Sequence, residues 1–129
     1  MKRLAQGLMI LAGIIHLLPL SGVLGAERLA SLYAVELNDP NVLIMMQHRA
    51  VLFGLLGVWL IVAAFRTALQ LPAIIAGLIS AGGFIVIALW VGDYNAALQR
   101  IVYADIVAIA CLVGAWALFW LGRPNTASD

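Results

Sequence analysis

Apolar residues dominate four stretches of the chain, and polar residues gather between them. The first stretch runs from about Leu4 to Leu24, LAQGLMILAGIIHLLPLSGVL. The second covers about 41–65, the third about 72–91 and the fourth about 98–121. Each is near the ~20 residues that carry a helix across a bilayer. Strand-like alternation is absent, and lipid offers the backbone no hydrogen-bond partner, so these segments are predicted to be α-helices.

Punctuation marks the helix ends. In NDP, Asp39 is placed to cap a helix whose first residue is Pro40. LQLP (Leu69 to Pro72) is read as starting the third helix in the same way. GDYN (Gly92 to Asn95) separates the third helix from the fourth. GRPNTASD (Gly122 to Asp129) ends the last helix and reads as a flexible tail, 122–129. The segment GAERLASLYAVELNDP joins the first two spans. Its Leu29, Leu32, Tyr33 and Glu36 have helical spacing, which suits a short amphipathic helix at the interface, with an ordinary loop as the alternative. The N-terminal apolar run is long for a cleaved signal sequence and is read as a retained helix.

Composition agrees with the pattern. Hydrophobic residues make up 65% of the 129-residue chain and charged residues 10%. Soluble domains average about 45–50% apolar and about 25% charged. The expected architecture is therefore all-α: four transmembrane helices in one up-down-up-down bundle, 1–129. A net charge of +1 offers no field for nucleic acid. The single cysteine, Cys111, excludes an internal disulfide.

Lys2, Arg3, Arg66 and Arg123 fall on one side of such a bundle, and Arg28, Arg49 and Arg100 on the other. The N-terminal pair decides the expected orientation, with both termini in the cytoplasm. Glu27, Glu36, Asp39, Asp93 and Asp105 lie toward the opposite, outer side. Trp59, Trp116 and Trp120 fall near the inner boundary, and Trp90, Tyr94 and Tyr103 near the outer one, as an aromatic belt requires.

Small residues must let the helices approach closely, since lipid removes the hydrophobic drive between them. Candidate stripes are Ala5, Ala12 and Gly13; Ala50, Gly54 and Gly57; Ala73, Ala76, Gly77, Ser80 and Gly83; and Ala104, Ala108, Cys111 and Ala115.

Against this apolar background one polar group stands out. His16 lies about 12 residues into the first span, or ~18 Å along its axis. His48 and Arg49 lie ~12 Å inside a helix that begins at Pro40, and Asp105 is similarly deep in the fourth span. Alternating topology brings them to one height in the outer leaflet, with Gln47, Arg100 and Tyr103 nearby. Ionisable residues inside spans are costly and usually face the interior in pairs. A buried Arg49–Asp105 pair with His16 and His48 around it is the simplest satisfied arrangement. The cluster His16, Gln47, His48, Arg49, Arg100, Tyr103 and Asp105 is the candidate ligand or partner site. The bland alternative is an ion pair that sets helix register, with Arg49, His48 and Arg100 reaching to the headgroups. A haem or metal site on His16 and His48 is the weakest reading, since no third ligand of a zinc pattern appears. No phosphate-cradling loop, CxxC, HExxH or GxSxG is present.

GIIHLLP (Gly13 to Pro19), LASLYAVEL (Leu29 to Leu37), HRAVLFGLLG (His48 to Gly57) and YNAALQRIVYADIVA (Tyr94 to Ala108) together resemble a family of small uncharacterised bacterial four-helix membrane proteins. The resemblance covers essentially the whole chain. These proteins are in turn loosely similar to DoxX-like proteins. Some carry a phosphopantetheine adenylyltransferase label, whose nucleotide-binding histidine motif and α/β pattern this chain lacks. The resemblance implies a bacterial inner-membrane location and keeps a quinone-linked role open. The function expected first is non-enzymatic: binding a lipid-like or quinone-like molecule, or serving as an accessory subunit of a membrane complex. The alternatives are a redox or haem protein using His16 and His48, and a small proton-coupled transporter acting as a dimer; the assembly looked for is a homo-oligomer or a larger membrane complex. Membrane lipids are the expected surroundings.

Overall fold

The computed structural model describes residues 1–124. Most of the expected tail, 125–129, lies outside the described residues. Five α-helices form: α1 (Lys2–Leu17), α2 (Ala26–Tyr33), α3 (Pro40–Ala63), α4 (Thr67–Val91) and α5 (Ala96–Leu121). A 3-10 segment, Leu18–Leu24, continues α1. No strand forms among the described residues.

The four spans are present. α3, α4 and α5 hold 24, 25 and 26 residues, and α1 with its 3-10 continuation holds 23. At 1.5 Å per residue the three continuous helices reach about 36–39 Å, more than the ~30 Å hydrocarbon core. Pro19 sits in the first turn of the 3-10 segment. Without an N–H it cannot donate to the carbonyl four residues back, which is where the α-helical pattern stops.

Asp39 caps α3 as expected, accepting from the Asn41 backbone N–H at 2.8 Å, with Pro40 at the first position. The third span departs from expectation. It begins at Thr67, and Pro72 lies inside the helix. Arg66 is extended and acts as the N-cap, so the connection from α3 is only a few residues long. Pro72 is close enough to this start that it interrupts only the early hydrogen-bond pattern. The α4–α5 connection turns at Gly92, whose φ of 69° suits a residue without Cβ. Asn95 then caps α5 by accepting from the Leu98 N–H at 2.9 Å.

Between α1 and α3, the short helix α2 forms with Leu29 and Tyr33 buried. It ends at Tyr33, because Ala34 turns left-handed at φ 52°. Glu36 therefore lies beyond the helix rather than on its face.

Around the bundle α1 neighbours α3 and α5, and α4 neighbours the same two. Close approaches give the directions. A Cβ built at Gly13 would lie 2.8 Å from the Gly57 carbonyl oxygen, one at Gly54 would meet Leu20, and one at Gly22 would lie 3.6 Å from Ala50. Rising numbers on α1 meet falling numbers on α3, so the two are antiparallel. Ala5, Met9 and Ala12 of α1, Leu60 and Ala63 of α3, Ile74 of α4, and Leu112 and Ala115 of α5 are packed in one core. The small-residue stripes of α1 and α3 are buried throughout. On α4 only Ala73 and Gly77 of the expected stripe are buried; Gly83 has nothing within 4 Å of a Cβ position. Large apolar side chains such as Ile79, Val86, Ile87 and Trp90 point outward. Exposed apolar surface of this extent suits a bundle embedded in a membrane.

Candidate functional site

Three of the anticipated polar residues come together. His16, Arg49 and Asp105 line one cavity of about 80 Å³ in the half of the bundle away from the termini. α1, α3 and α5 supply one each. The antiparallel arrangement explains the meeting: His16 is near the end of α1, while Arg49 and Asp105 are each nine residues past the first residue of their helices. Pro19, Tyr33, Phe53 and Ala104 are among the other wall residues.

His16 is 2% exposed. Its Nδ1 lies 2.8 Å from the Ala12 carbonyl oxygen. A carbonyl only accepts, so Nδ1 carries the hydrogen, and in a neutral ring Nε2 is left as an acceptor. That Nε2 is buried and has no partner. Native structures leave few buried polar atoms in this state.

Arg49 does not pair with Asp105. No salt bridge joins them among the described residues; they face one cavity instead. The guanidinium is held by α2 and by aromatic rings. Its NH1 group donates to the Tyr33 hydroxyl at 2.9 Å. Its central carbon lies 4.6 Å from the Phe53 ring centroid, 5.4 Å from that of Phe84 and 5.6 Å from that of Tyr33. Cation–π attraction is worth about 2 kcal/mol when desolvated, which lets rings replace part of the missing counter-ion. Asp105 is 7% exposed, and its carboxylate accepts no hydrogen bond among the described residues.

The other anticipated residues lie elsewhere. His48 is exposed and forms no part of the cavity wall. One residue along a helix is a rotation of about 100°, so Arg49 facing inward turns His48 away. His48 thus does not join His16 in the cavity wall, and no group of three His, Cys, Asp or Glu side chains that could hold a metal ion occurs among the described residues. Tyr103 is 60% exposed, on the opposite side of α5 from Asp105. Gln47 donates from Nε2 to the Val23 carbonyl oxygen at 3.2 Å, tying the 3-10 segment to α3. Arg100 is exposed and lines a second, adjoining pocket of about 230 Å³. Leu18, Pro19, Tyr33, Ile101 and Ala104 border both spaces, so the outer pocket continues the inner one along the seam between the end of α1 and α5.

Four further positions frame the site without belonging to the polar cluster that the sequence marks. Tyr33 is marked in the sequence only as part of the amphipathic face of 25–40. Phe53 is four residues from Arg49, a spacing that puts the two side chains on one helix face and was available in the sequence. Phe84 comes from α4 and has no such local signal. Asn95 donates from Nδ2 to the carbonyl oxygens of Tyr33 at 2.9 Å and Ala34 at 3.2 Å. It thereby anchors the end of α2 while capping α5.

Together the fold and this arrangement define a small multi-pass helical membrane protein with a largely apolar cavity in its bundle onto which three ionisable side chains face. Comparison with family models, curated proteins and solved structures gave no match.

Proposed function

We propose that the protein is a non-enzymatic membrane component that holds a lipid-like or quinone-like molecule, with its polar head between His16, Arg49 and Asp105 and its apolar part in the seam beside Arg100. The observation that carries this reading is the partnerless Nε2 of His16 in the wall of a cavity shared with two charged side chains. A purely structural cluster would be expected to close on itself, because ionisable groups inside a span are stabilised by pairing. Here no salt bridge joins Arg49 to Asp105, and both line the cavity into which the His16 ring faces. An apolar cavity of about 150 Å³ can take up benzene. The inner chamber is smaller than that, which suits a compact head, and the adjoining pocket has room for a chain or ring.

The proposed setting is a bacterial inner membrane with both termini cytoplasmic. The setting rests on the resemblance to small bacterial four-helix, DoxX-like proteins. The orientation rests on Lys2, Arg3, Arg66 and Arg123. An accessory role in a larger complex is compatible with the small extramembrane portion.

Native mass spectrometry of the protein released from mild detergent tests the reading. The expected result is an added mass of small-molecule size, lost in Arg49→Gln and His16→Leu variants that retain their helix content. A bare chain that takes up no component of a bacterial lipid extract would overturn it.

A further inference from the structure

If the cavity holds a ligand head, as proposed above, its wall restricts the chemistry of that head. Nδ1 of His16 is committed to Ala12, leaving Nε2 as an acceptor. Asp105 contributes a second acceptor. Arg49 is the strong donor, with one of its nitrogens already engaged by Tyr33. The remaining wall is largely apolar, including Ile15, Leu18, Pro19, Phe53 and Ile101. A phosphate would find donors only at Arg49 and at the Tyr33 hydroxyl that Arg49 already engages, and its other oxygens would face the Asp105 carboxylate and the Nε2 lone pair. An ammonium head would meet the fixed positive charge of Arg49. A neutral hydroxyl avoids both conflicts, because it donates to one acceptor while accepting from Arg49.

We propose that the site selects amphiphiles with an uncharged hydroxyl head, and that this hydroxyl donates to Nε2 of His16. A hydroquinone and an isoprenoid alcohol both present this chemistry. The inference rests on the ligand-binding reading and adds the head group to it.

Four probes with one common isoprenoid tail test it on the full-length protein in mild detergent: an alcohol, its methyl ether, a hydroquinone and a phosphate monoester. Binding is read by native mass spectrometry and calorimetry. The alcohol or the hydroquinone should bind, and the tighter of the two identifies the source. The ether, which cannot donate, should bind about tenfold or more weakly, as expected when a buried acceptor goes unmatched. The phosphate should not compete. In His16→Leu the preference for alcohol over ether should disappear; should that variant fail to fold, the comparison on the unmodified protein decides. An ether as tight as the alcohol, or displacement by the phosphate, would overturn the hydroxyl assignment and leave the binding site standing. If all four probes fail and no small molecule accompanies the purified protein, the binding reading falls with it.

Discussion

Gly13 and Gly57 meet backbone to backbone where α1 crosses α3. A Cβ on Gly57 would sit 2.7 Å from the Gly13 carbonyl oxygen, and one on Gly13 would sit 2.8 Å from that of Gly57. Neither obstacle is a flexible side chain, so either methyl group has to push the helices apart. Gly13→Ala and Gly57→Ala should each destabilise the bundle by about 1–3 kcal/mol, the usual range for overpacking. Gly82→Ala and Gly83→Ala, where nothing lies within 4 Å, should be neutral or slightly stabilising through helix propensity. Thermal unfolding in one detergent, followed by circular dichroism, compares the four. Equal loss at all of them would show that close helix approach is not what Gly13 and Gly57 provide.

The Arg49–Tyr33 hydrogen bond links the bundle interior to α2. Tyr33→Phe removes the hydroxyl and keeps the ring, so the loss should be that of a charge-assisted bond, about 1.5–3 kcal/mol. Its effect should be local: faster hydrogen exchange across Ala26–Tyr33, with α3 and α5 unchanged. Uniform acceleration over all helices would instead make this bond part of the global fold.

Asn95 performs two tasks that one substitution can separate. Asn95→Ser keeps an oxygen for the Leu98 N–H and removes the Nδ2 donor to Tyr33 and Ala34 without placing a second acceptor against their carbonyls. Asn95→Ala removes both. The alanine variant should lose about 1 kcal/mol more than the serine variant, the typical value of an N-cap. Denaturation of the two proteins side by side gives the difference, and equal stability would leave the cap without measurable weight.

His16→Leu should separate stability from binding. A leucine leaves no unmatched buried nitrogen, so the ligand-free protein should be as stable as the original or slightly more so. Stabilisation by added ligand should vanish. Thermal shifts with and without a bacterial lipid extract measure both. A large loss in the ligand-free protein would mean that His16 serves packing.

Orientation can be read by labelling intact cells with a membrane-impermeant maleimide. Tyr94→Cys, in the α4–α5 connection, should react from outside. Arg66→Cys, in the α3–α4 connection, should react only after lysis. The opposite pattern would invert the proposed topology.

The large features of this fold are carried by local sequence. The four spans follow from apolar length, and the Asp39–Pro40 start of α3 follows from capping chemistry. The Gly13 and Gly57 contacts belong to stripes visible in single helices. Depth was readable too, since counting from helix starts put His16, Arg49 and Asp105 at one height. Rotation about the helix axis was harder. His48 and Tyr103 have the right depth and point elsewhere, and only packing against a particular neighbour decides that. Arg49 has an acidic residue at the right height, but the ring of Phe53 on its own helix and those of Tyr33 and Phe84 on other elements, with the Tyr33 hydroxyl, hold it instead. Only the Phe53 spacing is local; the Tyr33 and Phe84 contacts are invisible until the helices are assembled.

The outer pocket lies where the 3-10 continuation of α1, α2 and the first turns of α5 meet. If the proposed amphiphile occupies it, that molecule comes from the surrounding bilayer. Exchange is then a two-dimensional encounter within the membrane, and occupancy follows the ligand's mole fraction among the lipids rather than its concentration in water. A weak intrinsic preference at His16 and Arg49 would be enough to keep such a site filled, because an amphiphile already dissolved in the membrane is presented to it continuously.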